Sequence, residues 1–589
     1  MTTLVHFLAI SAALGLWHLA EGDDSATQCD FNENCQCVKE SDKVYADVTC
    51  LNADEFPIFD SVPSGVIVRK LLVQGKLKQL PQTGLDAFAR VEQVGIDRTS
   101  GISAFGVEGD GKYALANSSI SKLFLRGFFN IPPFTKRGKG FDASTLANLS
   151  LVAVENSRFD LDDNSFKGFN SLVELALRDD EVQDASFTED HPFAPLASTL
   201  RILSLSNNQL SSYRKWQTAL EDLSNLQTLR LNNNTIVDLT GANFTNFPHL
   251  LLLDLSDNKE LKSFDGSYIS STHPFLEELD LSNCSLSQLP EDALQHLSKL
   301  KTLSLAGNQI STLSQPAFQR NVLLEILNLD GNPIQLVEMN VFSELEQLKN
   351  FSVRNWDLDV LDLSTLATRD RLGGLENLIV SDNRRLRTVN VTRPDWIPVN
   401  LHTLHISNNN LTTLDESISQ LLTKDTHLSI TISNERNFEC PYEEAVSDQA
   451  KQTDQPWPIF DADNTTGTNG TNTTDFGTTT QATATTTMPH LNASHSLMWL
   501  AIKVVCEHRI IITPDVFCAQ NGDQNQTMLF DFLKNDLSPD CTGYEGTTTK
   551  APSTTPSKPS STSSGAFSYR FVSYFFVFFI TLLLSKVIN

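Results

Sequence analysis

The chain has 589 residues, of which 44 are basic and 71 acidic, giving a formal net charge of -27. Phosphate recognition needs clustered Lys and Arg, so this balance argues against nucleic acid as a partner. The acidity points instead to solubility or to a cationic partner, and solubility is the simpler account.

Residues 1–22 read as a secretory signal, an apolar stretch with a small-x-small exit at Ala20-Glu21-Gly22, although no Lys or Arg precedes it. Thirteen Asn-x-Ser/Thr sequons support export: Asn117, Asn148, Asn233, Asn243, Asn283, Asn350, Asn390, Asn410, Asn464, Asn469, Asn472, Asn492 and Asn525. In an oxidising compartment, cysteines are read first as disulfides. Cys29, Cys35, Cys37 and Cys50 lie in an N-terminal cap over 23–67, and Cys440, Cys506, Cys518 and Cys541 in a C-terminal cap over 434–545. A metal site at Cys35-x-Cys37 is the rival reading, but no His pair lies nearby.

Between the caps, over 68–433, the spacing Leu-x-x-Leu-x-Leu-x-x-Asn-x-Leu returns every 24 to 28 residues. It is clearest at Leu300, Leu303, Leu305, Asn308 and Ile310, and again at Leu324, Leu327, Leu329, Asn332 and Ile334. The same comb lies on Leu200, Leu226, Leu250, Leu276 and Leu401. Such self-similarity marks a solenoid, because one unit cannot bury its apolar face without neighbours. Each repeat is predicted to open with a short strand of one parallel sheet. Leucines at repeat positions 1, 4 and 6 then point inward, and positions 3, 5, 7 and 8 outward. Asn at position 9 is expected to bond backbone groups that the turn leaves unpaired, building a ladder from repeat to repeat.

Cys284 takes the ladder position in one repeat and is expected to be a buried free thiol. Ser157, Asp180 and Trp356 take it in the degenerate repeats that begin at Leu149, Leu172 and Leu348. Residues 97–147 are irregular, with one strand recognisable around Leu123 and Leu125. Phe166, Phe244, Phe318 and Phe342 each stand six residues before the next repeat and should form an aromatic spine beneath the sheet.

Two low-complexity stretches follow. A Thr/Asn-rich insertion over 455–495 interrupts the C-terminal cap, and a Ser/Thr/Pro stalk spans 546–564. Such composition carries O-glycans and forms no core. At roughly 3 Å per residue the stalk would reach about 60 Å. The tail, 565–589, holds an apolar run from Phe571 to Leu584, shorter than the roughly twenty residues of a membrane helix. Small residues Ser563, Ser564 and Gly565 followed by that run resemble a GPI-attachment signal, with a short spanning helix as the alternative.

Nothing in the chain points to catalysis, and no cofactor is implied. Gly106-x-x-x-x-Gly111-Lys112 approaches a phosphate-binding loop, but Tyr113 stands where Ser or Thr would hold magnesium. His402 and His405 share a strand without converging, and neither G-x-S-x-G nor H-E-x-x-H occurs. The chain is read as a non-enzyme. Among the outward positions, Asp254, Asp257, Glu278 and Asp280 should form one acidic patch, since neighbouring strands lie about 4.8 Å apart. That patch is a candidate docking surface for a basic ligand, and Leu-Asp-Leu-Ser as ordinary repeat filler is the competing account.

The comb resembles leucine-rich repeats, and with its ends the chain is similar to extracellular leucine-rich-repeat proteins. Its layout resembles that of glycolipid-anchored adhesion molecules of the connectin and chaoptin type, and that of Toll-type ectodomains without their signalling domain. The resemblance implies an α/β-type solenoid, a horseshoe with a parallel concave sheet and disulfide-tied caps. It also implies pairing of Cys29 with Cys37 and of Cys35 with Cys50. The implied role is binding another extracellular protein, homophilically or heterophilically, as an adhesion or recognition molecule on the outer face of the plasma membrane. An innate immune receptor or co-receptor and a shed matrix glycoprotein are the alternatives.

Overall fold

A computed structural model describes residues 26–439 apart from 60, 78–79, 81–84, 98–104, 106–114, 116–117, 129–133, 135–139, 142, 159–160, 188–190, 240–243, 265–274, 290–292, 339, 367–374, 394–399, 423–427, 434 and 436–437. It also describes 500, 504, 510–512, 516 and 518–519. These residues belong to one compact unit, 1–541, separate from 542–589. The expected signal over 1–22, insertion over 455–495, stalk and tail over 546–589, Cys440, Cys506 and Cys541, and Asn117, Asn243, Asn464, Asn469, Asn472, Asn492 and Asn525 lie outside the described residues, and so does the side chain of Cys518.

The fold is a leucine-rich-repeat solenoid built on one parallel sheet. Its N-terminal cap comprises β1 (Thr27–Cys29), β2 (Asn32–Ser41) and β3 (Val44–Cys50). These pair antiparallel in sequence order, and β3 then pairs parallel with the next strand, so the cap is also the sheet's first turn. Disulfides join Cys29 to Cys37 and Cys35 to Cys50, the pairing that the resemblance implied. Parallel strands continue as β4 (Ile67–Gln74), β5 (Arg90–Asp97), β6 (Lys122–Arg126), β7 (Leu151–Glu155) and β8 (Glu174–Arg178). Shorter ones follow as β9 (Ile202–Ser204), β10 (Thr228–Arg230), β11 (Leu252–Asp254), β12 (Glu278–Asp280) and β13 (Thr302–Ser304). Further strands are at Ile326–Asn328, Asn350–Ser352, Asn377–Ser381, Thr403–Ser407 and Ser429–Ser433. The last strand, Ile510–Ile512, pairs parallel with Ser429–Ser433, so the sheet resumes beyond the low-complexity insertion.

The register is what a stacked comb requires. One inward row runs through Val48, Leu71, Val94, Leu123, Val152, Leu175 and Leu203, then Leu229, Leu253, Leu279, Leu303 and Leu327. Every member is at most 2% exposed, so a slip by one residue would turn the whole row to solvent. The degenerate repeats keep this row even where the rest of the comb is lost.

Beneath the sheet runs the position-9 ladder. Asn258 shows its chemistry: Nδ2 donates to Leu231 O (3.1 Å) of the preceding repeat and to Leu255 O (2.7 Å) of its own. Its Oδ1 accepts from Ile236 N (3.1 Å), which satisfies backbone groups that are buried away from water. Asn208, Asn234, Asn308 and Asn332 repeat the pattern. The substitutes fit by their donors and acceptors. Trp356 uses its indole Nε1 to reach Leu329 O (3.2 Å). Cys284 is a buried free thiol against Leu255 O (3.5 Å), and burial pushes its pKa up to about 12. The ladder reaches Glu435, fully buried, whose carboxylate accepts from Asn409 N (2.7 Å) and Leu411 N (3.1 Å).

Position 8 has its own rule. Asn207, Asn233, Asp257, Asn283, Asn355, Asp382 and Asn408 all have φ between 53° and 61°, and Gly307 and Gly331 lie at 66° and 70°. Left-handed backbone is tolerated by Gly, Asn and Asp and costs other residues, which explains the residue choice at this turn. At Gly307 a Cβ would also lie 2.2 Å from Asn283 Oδ1.

Phe166, Phe244, Phe318 and Phe342 are at most 1% exposed, with Phe318 stacked on Phe342 at 5.8 Å and Phe166 on Phe193 at 5.5 Å. The irregular stretch adds to this spine rather than breaking it. Phe105 packs 4.6 Å from Phe141 and 5.6 Å from Phe134, and Phe134 reaches Phe166 at 6.4 Å.

Candidate interaction face

The sheet's outward face is the surface that this fold leaves over once the core, the ladder and the turns have taken their residues. Its central row begins apolar and closely packed, with Leu72, Gly95, Phe124, Ala153 and Ala176 in register on β4 to β8 and none more than 7% exposed among the four with side chains. Phe124, Leu151, Ala153 and Ala176 form a small apolar cluster of their own, apart from the main core. Gly95, with no side chain, stands between Leu72 and Phe124, and a recess of about 40 Å³ sits there, rimmed by Asp97, Arg126 and Glu155. Beside the apolar row, Asp97, Arg126, Glu155 and Arg178 alternate in charge on adjacent strands.

From β9 onward the same row turns polar: Ser204, Arg230, Asp254, Asp280, Ser304 and Asn328. Asp254 and Asp280 are direct neighbours across β11 and β12, and Glu278 lies on the same face. Each aspartate is bonded locally. Asp254 Oδ1 accepts from Ser256 N (3.0 Å) and Oγ (2.7 Å), and Asp280 Oδ1 from Ser282 N (2.9 Å) and Oγ (2.6 Å). Asp257 stands beyond the strand, in the left-handed turn.

The sequence patch is therefore part of a mixed-charge network. Arg230, only 7% exposed, lies in register beside Asp254. Burial lowers the Arg230 pKa and Arg178 pushes the same way, while Asp254, Glu174 and Glu278 oppose. Burial, with Asp280 adding repulsion, raises the Asp254 pKa to about 6 against the Ser256 hydrogen bonds and Arg230. Burial also raises Glu278 and Asp280. Arg178 Nε donates to Ser204 Oγ (3.1 Å), tying β8 to β9. The acidic patch expected from the sequence leaves out Arg230, which stands in the same outward row beside Asp254, and Arg178 on β8.

Among the sequons, Asn233 and Asn283 are exposed in the left-handed turns along one edge of this face, and Asn350 is exposed on the face itself. Asn233 Nδ2, the atom a glycan would take, donates to Asn207 Oδ1 (2.9 Å). Asn148 is exposed at the end of a short helix, Ala143–Asn148, and Asn390 and Asn410 are half-buried. No outward residue of β4 to β8 belongs to a sequon. His405 is exposed on its strand, with its pKa lowered by partial desolvation of the ring. Among the described residues, no cluster of His, Cys, Asp and Glu is placed to hold a metal ion, and no helix is long and apolar enough to cross a membrane.

Family models agree with the repeat geometry. Residues 274–334 match the Leucine rich repeat model, and residues 400–421 match a second Leucine Rich Repeat model. The chain is 30% identical over 139 residues to Transforming growth factor beta activator LRRC33 of Danio rerio, covering 22% of this chain and 20% of that protein. It is 36% identical over 109 residues to Chaoptin of Drosophila melanogaster, covering 18% and 8%. With Tsukushi of Rattus norvegicus it shares 39% over 106 residues, covering 18% and 29%. The alignments thus reach between 8% and 29% of these relatives' own length. The two family models place leucine-rich repeats in this chain, and the chain is built as a leucine-rich-repeat solenoid.

Proposed function

We propose that this chain is an exported cell-surface glycoprotein that binds another extracellular protein through the outward face of its sheet, in adhesion or recognition. The observation that carries this reading is the face itself. It is a continuous surface that grades from an apolar row on β4 to β8 into a mixed-charge network on β8 to β12, on a rigid stacked scaffold. Rigid, preformed surfaces of graded polarity suit protein partners, because little ordering cost opposes binding. The disulfides of the cap fit an oxidising compartment. The sequons Asn233, Asn283 and Asn350 would carry glycans at or beside the C-terminal half of the face, and no outward residue of β4 to β8 would carry one.

In this reading the tail holds the protein at the membrane through a GPI lipid attached at Ser563, Ser564 or Gly565, with the Ser/Thr/Pro stalk lifting the solenoid from the bilayer. The test is aggregation of normally non-adherent cells that express the chain, with and without phosphatidylinositol-specific phospholipase C. Clumping that the lipase abolishes supports both anchor and adhesion. Protein retained on the cells after lipase treatment refutes the GPI anchor, and protein released without any prior clumping refutes homophilic adhesion.

A further inference from the structure

The N-terminal cap carries a second surface, separate from the sheet face. A cleft of about 610 Å³ opens beside β2 and the segment after β3, within the range of volumes that bind ligands. Its apolar lining includes Leu51, Pro57 and Ile58, and its charged part is Glu33, Asp54 and Glu55, with no Lys or Arg in the lining. Ile58 is 71% exposed, the highest value of any large hydrophobic among the described residues, and Leu51 is 41% exposed. Elsewhere in the cap, apolar side chains are used for packing. Phe31 meets Tyr45, Phe59 and Phe88 edge-on at 5.2, 6.1 and 5.6 Å, and Phe56 and Phe59 are buried.

The walls are fixed. The Cys35–Cys50 disulfide ends immediately before Leu51, and Asn32 Nδ2 donates to Ile58 O (2.9 Å) while its Oδ1 accepts from Asn34 N (2.9 Å). No sequon falls within 23–67, so glycans of this segment do not cover the cleft. Exposed aliphatic side chains in a rigid, wholly acidic setting select by charge as well as by shape.

We propose that this cleft docks a segment of a partner protein that carries an aliphatic side chain beside one or two Lys or Arg residues. The aliphatic group covers Leu51 and Ile58, and the cations face Glu33, Asp54 and Glu55.

The test uses the exported chain and two labelled short peptides as probes, one alternating Lys with Leu and one alternating Lys with Ser, followed by fluorescence anisotropy. The wild type should bind the Lys/Leu peptide about tenfold more tightly than the Lys/Ser peptide. Ile58→Ser, which keeps the charge and alters an exposed residue, should erase that preference. Glu55→Lys should weaken both peptides, and Glu416→Lys, an exposed reversal far along the chain, should leave the preference unchanged. An Ile58→Ser variant that keeps the preference overturns the proposal, and so does Glu416→Lys weakening binding as much as Glu55→Lys. A wild-type dimer in sedimentation that Ile58→Ser dissociates also overturns it, by assigning the cleft to a second copy of the chain.

Discussion

Replacing Asp180 by Asn should stabilise the protein, and the gain should depend on pH. Asp180 holds the ladder position of its repeat and is fully buried. Its Oδ1 accepts from Ser157 N (2.9 Å), while Oδ2 is buried without a hydrogen-bond partner. Burial pushes its pKa up to about 8, with Glu155 and Asp179 adding repulsion and the Ser157 N–H opposing. The folded state therefore keeps a proton that the unfolded chain releases near pH 4. Stability falls as pH rises from about 4 to about 8, at up to about 1.4 kcal/mol per pH unit, and levels off above that. Between pH 5 and pH 7 the loss amounts to about 2–3 kcal/mol. Asn does not titrate, and its Nδ2 should bond Val154 O and Leu177 O as Asn208 bonds Leu177 O and Leu205 O. The assay is urea unfolding of wild type and Asp180→Asn at both pH values. The variant should gain roughly 2–4 kcal/mol at pH 7 and distinctly less at pH 5. An equal difference at both pH values, or a loss at pH 7, would refute the reasoning.

Gly307→Ala should cost about 1–3 kcal/mol, from its φ of 66° and from the contact with Asn283 Oδ1; adding Asn283→Gly, which removes Oδ1 and tolerates the left-handed turn, should recover only the steric part in the same unfolding assay. Trp356→Phe, which keeps an aromatic ring but removes the donor to Leu329 O, should cost about 1–3 kcal/mol in urea unfolding, and a cost below about 0.5 would show that this bond adds little. Cys284, buried with its thiol pKa raised, should resist iodoacetamide at pH 8 in the native protein and react once urea unfolds it, as mass spectrometry would show.

The regular repeats were legible because inward leucines and ladder asparagines answer to one geometry: a strand that alternates, then a turn with buried backbone to satisfy. The substitutes Cys284, Ser157, Asp180 and Trp356 were legible by position, although the indole of Trp356 standing in for an amide donor emerges only from its bond to Leu329 O. Asp257 was read as an outward acid, but its left-handed φ of 59° supplies a backbone reason for its presence. The apolar row on β4 to β8 was hidden because those repeats have lost the comb that sets the register. Arg230 is visible in the outward row of the sequence, but a patch drawn from the acids alone leaves out the opposing charge beside Asp254. The strand Ile510–Ile512 was missed because the chain leaves the sheet after Ser433 and returns only beyond the low-complexity insertion, so no fixed period announces it.

The central claim, that the outward sheet face binds the partner, is tested most directly by placing a glycan on it. Asp97, half-buried on the outward face of β5, becomes a sequon with one change, since Asp97→Asn creates Asn-Arg-Thr with the two residues that follow it. With glycan occupancy and surface display verified, cells expressing Asp97→Asn should lose the aggregation shown by cells expressing the wild type. Undiminished aggregation with the glycan in place would contradict the account.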